Sequence, residues 1–197
     1  MKQIIIFNLI FSGNIYTQSV AQERLKYPLA LDIPGTVNKT PGPVNTMPNP
    51  LEFFNINISQ NSAPQNEPSV KISRKDTNKV VAAWRDFRYG IDPNANRRVG
   101  YSYSTNGGLT WSVSRLLDST LLPGGLTRNS DPVVAVDTAG NFYIAVIAIQ
   151  GLSGGNLTLA VYKSTNGGQT FPEAFICSQS GTEDKEWLTT DLSSTSP

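Results

Sequence analysis

There is no histidine in the 197 residues, which removes Ser-His-Asp and Cys-His nucleophilic catalysis and histidine-ligated zinc from this chain. Cysteine occurs once, at Cys177, so no intrachain disulfide forms, and the residue is expected as a small buried hydrophobe near a strand. Charge is sparse. Charged residues are 16% of the chain and the formal net charge is +1, so nothing points to a nucleic-acid partner or a polyanionic surface. No apolar run is long enough for a transmembrane span, and no helical periodicity is sustained anywhere.

What is present is turn chemistry. The chain carries 16 Gly and 13 Pro among short apolar segments, the pattern of an all-β protein. Ser104-Thr105-Asn106-Gly107-Gly108-Leu109-Thr110-Trp111 returns sixty positions later as Ser164-Thr165-Asn166-Gly167-Gly168-Gln169-Thr170-Phe171. Asn-Gly between alternating segments signals a hairpin, because a type I′ turn needs φ > 0 at both central residues. The Ser or Thr hydroxyl and the Asn carbonyl are placed to bond nearby backbone N–H groups, and the aromatic residue is expected to start the return strand. Recurrence at a fixed period marks a repeat architecture.

Taken in order, residues 1–21 read as a secretory signal peptide. Lys2 precedes the apolar Ile4–Phe11, and Ser19-Val20-Ala21 offers small residues for cleavage near Ala21. The competing reading of Ile4–Phe11 is a buried N-terminal strand. Residues 22–62, rich in Pro, Asn and Thr, read as a leader or linker, with an edge strand possible from Leu51 to Ile58. Two units of the same order follow, 63–122 and 123–178. Each has an acidic residue before Pro (Glu67-Pro68, Asp131-Pro132), a strand, a turn, an apolar strand, a loop, a strand, the Asn-Gly-Gly turn and an aromatic return strand. A third unit opens in 179–197, where Asp184 to Asp191 echoes Asp131 to Asp137.

Four-stranded units in series imply a β-propeller, here about two blades and the start of a third. The repeated octapeptide resembles the Asp-box, or BNR repeat, of the secreted bacterial sialidase-like propellers, with Asn106 and Asn166 where that box carries Asp. The resemblance covers about residues 66–191. It implies that Ser104, Asn106, Gly108, Thr110, Trp111 and Ser164, Asn166, Gly168, Thr170, Phe171 are architectural and lie away from the ligand face. It also implies a clamp arginine on the opening strand of the first blade, where this chain has Asn66 followed by Glu67. The next family feature, an arginine after the second strand with an acid/base Asp in the following loop, is matched by Arg85 and by Asp86 or Asp92.

Arg85, Asp86, Arg88 and Asp92 are therefore the candidate ligand-binding residues. The segment Arg85-Asp86-Phe87-Arg88-Tyr89 combines two guanidiniums, a carboxylate and two aromatics, suited to stacking on a sugar and to charge-assisted hydrogen bonds. The plainer alternative is an Arg85–Asp86 or Asp86–Arg88 ion pair on a solvated loop. No catalytic residue, metal ligand or cofactor is assigned; the Asp137–Asn141 turn is read as a plain β-turn rather than a calcium site. The expected function is a secreted module recognising glycans without catalysis by this chain. The alternatives are the N-terminal part of an exo-sialidase or related glycoside hydrolase, and a structural surface or adhesion component. Two blades leave apolar faces and strand edges open, so further blades or self-association are expected to complete the ring.

Overall fold

The computed structural model describes residues 4–8, 56–90, 97–151, 155–181, 183–184 and 186–193. The leader expected over 22–62 lies mostly outside these residues, and so does Asp92. The described part, Ile56 to Ile58, is not a strand.

The chain is all-β. One four-stranded antiparallel sheet, the first blade, runs in the order β2 (Gln65–Ile72), β3 (Val80–Asp86), β4 (Arg98–Ser104) and β5 (Arg115–Leu116). The second blade repeats it with β6 (Leu126–Val136), β7 (Phe142–Gln150), β8 (Leu157–Ser164) and β9 (Glu173–Gly181). A short 3-10 turn at Ser119–Leu121 lies between them, capped by the Asp118 carboxylate accepting from Thr120 N. β10 (Glu186–Thr190) follows the second blade and pairs antiparallel with β1 (Ile4–Asn8). The apolar N-terminal run thus has a sheet partner in this structure.

Period-2 alternation explains how the blades stack. In the second blade one face carries Val134, Val136, Phe142, Ile144, Val146, Ala148, Ala160 and Tyr162. It packs against Val81, Ala83, Val99 and Tyr101 of the first blade in a single buried cluster. The other face carries Ala135, Tyr143, Ala145 and Val161 and packs on Leu188 of β10. A sheet apolar on both faces is what a layer sandwiched between neighbours requires. Each fully buried large side chain, Phe142, Ile144 and Tyr162 among them, contributes about 1.5–3 kcal/mol. Polar bonds stitch the layers: Val134 N to Ser69 Oγ at 3.0 Å, Lys75 Nζ to the Ala139 carbonyl at 3.1 Å, Arg115 Nη1 to the Gln169 carbonyl at 2.9 Å.

The recurring turns differ from the expectation in two ways. First, the left-handed backbone falls on Gly107 and Gly108 (φ +70° and +92°), and on Gly167 and Gly168, and not on Asn106 or Asn166, so the two positive-φ positions sit one residue later than the Asn-Gly pair. The asparagines act through their side chains instead. Asn106 Oδ1 accepts from Ser104 Oγ and Thr110 N, both at 2.9 Å, and its Nδ2 donates to Thr110 Oγ1 at 2.9 Å. Ser104 Oγ also accepts from Gly108 N at 2.9 Å, and Asn166 and Ser164 repeat the set. Second, the aromatic residue does not begin a strand. Trp111 folds back so that its Nε1 donates to the Gly108 carbonyl at 3.0 Å. Phe171 crosses the layer boundary to sit edge-on to Tyr101, centroids 5.0 Å apart. The return strands start later, at Arg115 and Glu173.

Cys177 is also corrected: it is exposed. Alternation along β9 turns Ala174 and Ile176 to the core, which leaves Phe175 and Cys177 on the outer face. The Asp137–Asn141 segment is a hydrogen-bonded turn, with the Asp137 carboxylate accepting from Asn141 N, Asn141 Nδ2 and the Tyr143 hydroxyl.

Candidate functional site

Antiparallel pairing puts the candidate residues and the recurring turns at opposite ends of the sheets. β3 ends at Asp86, opposite Arg98 at the start of β4, whereas the turn follows Ser104 at the far end of β4. In the second blade the head of β6 meets the end of β7, Leu126 opposite Gln150, at the end corresponding to Asp86. A backbone bond from Asn129 N to the Arg97 carbonyl, 3.3 Å, joins the blades there.

At this end the first strand of each blade breaks register, between Asn66 and Ser69 in β2 and between Ser130 and Val133 in β6. Glu67 and Asp131 lie inside the breaks with φ +52° and +54°. Both precede proline, a position already restricted to extended backbone, and a non-glycine residue held in the left-handed region stores about 1–3 kcal/mol. A strained acid thus sits in the register break of the first strand of each blade. Arg85 joins them: its Nη1 is 3.1 Å from Glu67 Oε1 and 3.4 Å from Asp131 Oδ1. The guanidinium lies over the Phe87 ring, 5.1 Å from its centroid, and its buried Nε has no acceptor among the described residues. Asn66, opposite Arg85 in the register, is exposed.

Asp86 has a different role from Arg85. Its carboxylate is 0% exposed and accepts from Trp84 Nε1 (2.9 Å), Arg88 N (2.9 Å), Arg88 Nε (2.9 Å) and Arg88 Nη2 (2.8 Å). Burial alone pushes its pKa up, but the bonds from Arg88 and Trp84 outweigh that and hold it below the usual value. Arg88 continues to Ser114 Oγ at 3.1 Å. Gly100 completes the knot, since a Cβ there would meet Trp84 Nε1 at 2.6 Å and Asp86 Oδ2 at 2.7 Å. The Asp86–Arg88 ion pair weighed above as a solvated surface pair is therefore formed, but with its carboxylate buried in the fold.

Of the four candidates, Arg85 faces the strained acids, Asp86 and Arg88 form a knot beside it, and Asp92 lies outside the described residues. Sequence reasoning missed that Glu67 and Asp131 belong to the same cluster. The signal was available in the repeat itself: by register, Arg85 and Asp86 correspond to Ile147 and Ala148 in the second blade. A blade does not need charge at those positions.

No protein-family model matches this chain, and no curated protein matches it. Among solved structures the chain is similar to the Hadza microbial sialidase Hz136, with a TM-score of 0.48 and 18% identity over 57% of this chain. It is also similar to Zg3597, a family 117 glycoside hydrolase produced by the marine bacterium Zobellia galactanivorans, with a TM-score of 0.41 and 14% identity over 64% of this chain. The chain spans 25% and 41% of the lengths of those two structures.

Proposed function

We propose that this chain is part of a sialidase-type propeller that recognises glycans, and that the protein it belongs to is a glycoside hydrolase. The observation that carries this is Arg85 bridging the strained Glu67 and Asp131 at the end of the blades opposite the turns. A guanidinium between two carboxylates presents donors and acceptors side by side, which suits the vicinal hydroxyls of a sugar, and the Phe87 face beside it adds a stacking surface. In this reading the two Ser-Thr-Asn-Gly-Gly turns are Asp-boxes with Asn in the acidic position, and their role is architectural. Asn retains the one acceptor oxygen on which the turn depends. The test is binding of a sialoside, and release of a fluorogenic one, by the protein and by Arg85→Ala.

A second reading is recognition without turnover. It is favoured by Asn66, which occupies the place of a clamp arginine beside Glu67, an arrangement that weakens the hold on a substrate carboxylate. Saturable sialoside binding with no release of the fluorophore selects it.

Export belongs to the same proposal, since glycans of this kind are met outside the cell. The basic-then-apolar start of the chain and Ser19-Val20-Ala21 support it. Removal of the segment would free the edge of β10 that β1 covers. Cell fractionation with N-terminal sequencing tests it; uncleaved protein in the cytoplasm contradicts it. No helix among the described residues is long and apolar enough to cross a membrane.

A further inference from the structure

The two recurring turns hold the chain's two Asn-Gly pairs, Asn106-Gly107 and Asn166-Gly167. An asparagine followed by glycine can react with its own backbone. The next amide nitrogen attacks the side-chain carbonyl carbon, and glycine has no Cβ to shield that nitrogen. Nucleophile and electrophile sit on adjacent residues, so the reaction needs only a proton acceptor and water. Both turns also polarise the carbonyl under attack. Asn166 Oδ1 accepts from Ser164 Oγ at 2.8 Å and from Thr170 N at 3.0 Å, and Asn106 Oδ1 accepts the matching pair. Two donors on one oxygen stabilise the oxyanion of a tetrahedral intermediate. Asn166 Nδ2, the group that must leave, is 2.8 Å from the Thr170 hydroxyl.

The turns share Ser-Thr-Asn-Gly-Gly-x-Thr, so a difference in reactivity between them comes from the fold. Gly107 N is held, donating to the Asn78 carbonyl at 3.0 Å, whereas Gly167 N has no acceptor among the described residues. The two nitrogens also meet surroundings of opposite sign. Beside Gly107 stands the Thr77 carbonyl oxygen, 3.8 Å from where a Cβ would lie. Beside Gly167 runs the Lys79 stem, with Cδ at 3.2 Å and Cε at 3.5 Å from the matching point. The ammonium beyond Cε favours an amide that has lost its proton, and a carbonyl oxygen disfavours it. Asn166 is exposed to water, and Asn106 is half-buried.

We propose that Asn166-Gly167 is a self-modification site, where the folded protein, with Lys79 promoting the step, converts Asn166 to an acidic residue, and that Asn106-Gly107 is its protected copy. Gly167 N gives its proton to hydroxide or a buffer base and bonds to Asn166 Cγ. Nδ2 leaves as ammonia, taking a proton from water, and a succinimide ring remains. Water opens the ring at one carbonyl or the other and leaves aspartate or isoaspartate. Water enters, ammonia departs, and nothing is oxidised or reduced. Aspartate fits the turn. One carboxylate oxygen keeps the bonds from Ser164 Oγ and Thr170 N, and the other accepts from the Thr170 hydroxyl, which donates as well as accepts. Isoaspartate lengthens the backbone by a methylene and breaks that set. The site does not depend on the glycan reading.

The experiment is peptide mapping of the 197-residue chain after incubation at mildly alkaline pH, folded and in guanidinium chloride, with the acid form at each asparagine located by mass and fragmentation. In denaturant the two sites are expected to convert at the same rate. In the folded protein Asn166 is expected to convert about three- to tenfold faster than Asn106, the scale of one hydrogen bond and one nearby charge. Lys79→Met, which keeps the stem without the ammonium, is expected to slow Asn166 by about twofold or more and to leave Asn106 unchanged. Equal rates in the folded protein, faster conversion at Asn106, or an unchanged Asn166 rate in Lys79→Met overturns the proposal. So does a folded protein whose Asn166 does not convert while the denatured chain does, and so do rates already unequal in denaturant, which would place the difference in the local sequence.

Discussion

Arg85 Nη1 lies 3.4 Å from Asp131 Oδ1, so a side chain of the first blade grips the register break in the first strand of the second. The same nitrogen is 3.1 Å from Glu67, in the corresponding break of the first blade. These pairs are partly exposed, so each contributes about 0–1 kcal/mol to stability. Arg85→Ala is therefore expected to lower the urea midpoint only slightly, while carbohydrate binding weakens at least tenfold. Equal loss of both would make Arg85 a structural tie rather than a ligand contact.

The Asp86 knot predicts the opposite balance. Removing one partner of a buried, hydrogen-bonded charge pair costs about 3–5 kcal/mol. Arg88→Ala and Asp86→Ala are expected to destabilise on that scale. Gly100→Ala is expected to do so as well, because its methyl would displace Trp84 and Asp86. Chemical denaturation measures this; a Gly100→Ala protein as stable as the parent contradicts the packing.

The two turns share hydrogen bonds but not surroundings. A Cβ on Gly168 would run into Val81 Cγ2 of the first blade, whereas one on Gly108 would meet only the Trp111 ring at 3.8 Å. Gly108→Ala is expected to cost about 1 kcal/mol, the backbone penalty alone. Gly168→Ala is expected to cost clearly more. Asn106→Asp retains the acceptor and is expected to change stability by less than about 1 kcal/mol, against a larger loss for Asn106→Ala. Urea midpoints of the four variants decide.

The pH dependence has two limbs. Asp86 and Asp137 have lowered pKa values in the fold, Asp137 because hydrogen bonds from Asn141 and Tyr143 outweigh the upward push of burial. Their contribution is present above the unfolded value near 3.9 and is lost as pH falls through the folded values. Tyr143 and Tyr162 are pushed up to about 12, chiefly by burial. Their contribution is complete below the unfolded value of about 10 and is lost as pH rises from there through about 12. Stability against pH is expected to show a plateau between these limbs, with the alkaline fall reduced in Tyr143→Phe and Tyr162→Phe. An alkaline limb unchanged in both variants would contradict the assignment.

Much of the fold was legible because propeller blades repeat. The octapeptide at Ser104 and Ser164 set the period, and the continuous apolar run Val80 to Trp84 read as a strand buried on both faces. Local turn geometry was less legible. The left-handed residues are Gly107 and Gly108, because Ser104 and Asn106 bind the turn from their side chains. The site was half visible. Arg85 to Arg88 drew attention by composition, but the burial of Asp86 depends on Gly100, fourteen residues away in sequence and one strand away in space. The strain at Glu67 and Asp131 comes from register breaks in β2 and β6, which no local propensity reveals, and the bond from Asn129 N to the Arg97 carbonyl depends on how the blades meet.

The measurement that tests the central claim most directly is sialoside binding to the protein and to Arg85→Ala, with the fluorogenic sialoside supplied to both. A glycan-recognising propeller predicts saturable binding by the parent and at least tenfold weaker binding by a variant that remains folded. No binding by the folded parent, or equal binding by both, would contradict the assignment of this end of the blades to glycan recognition.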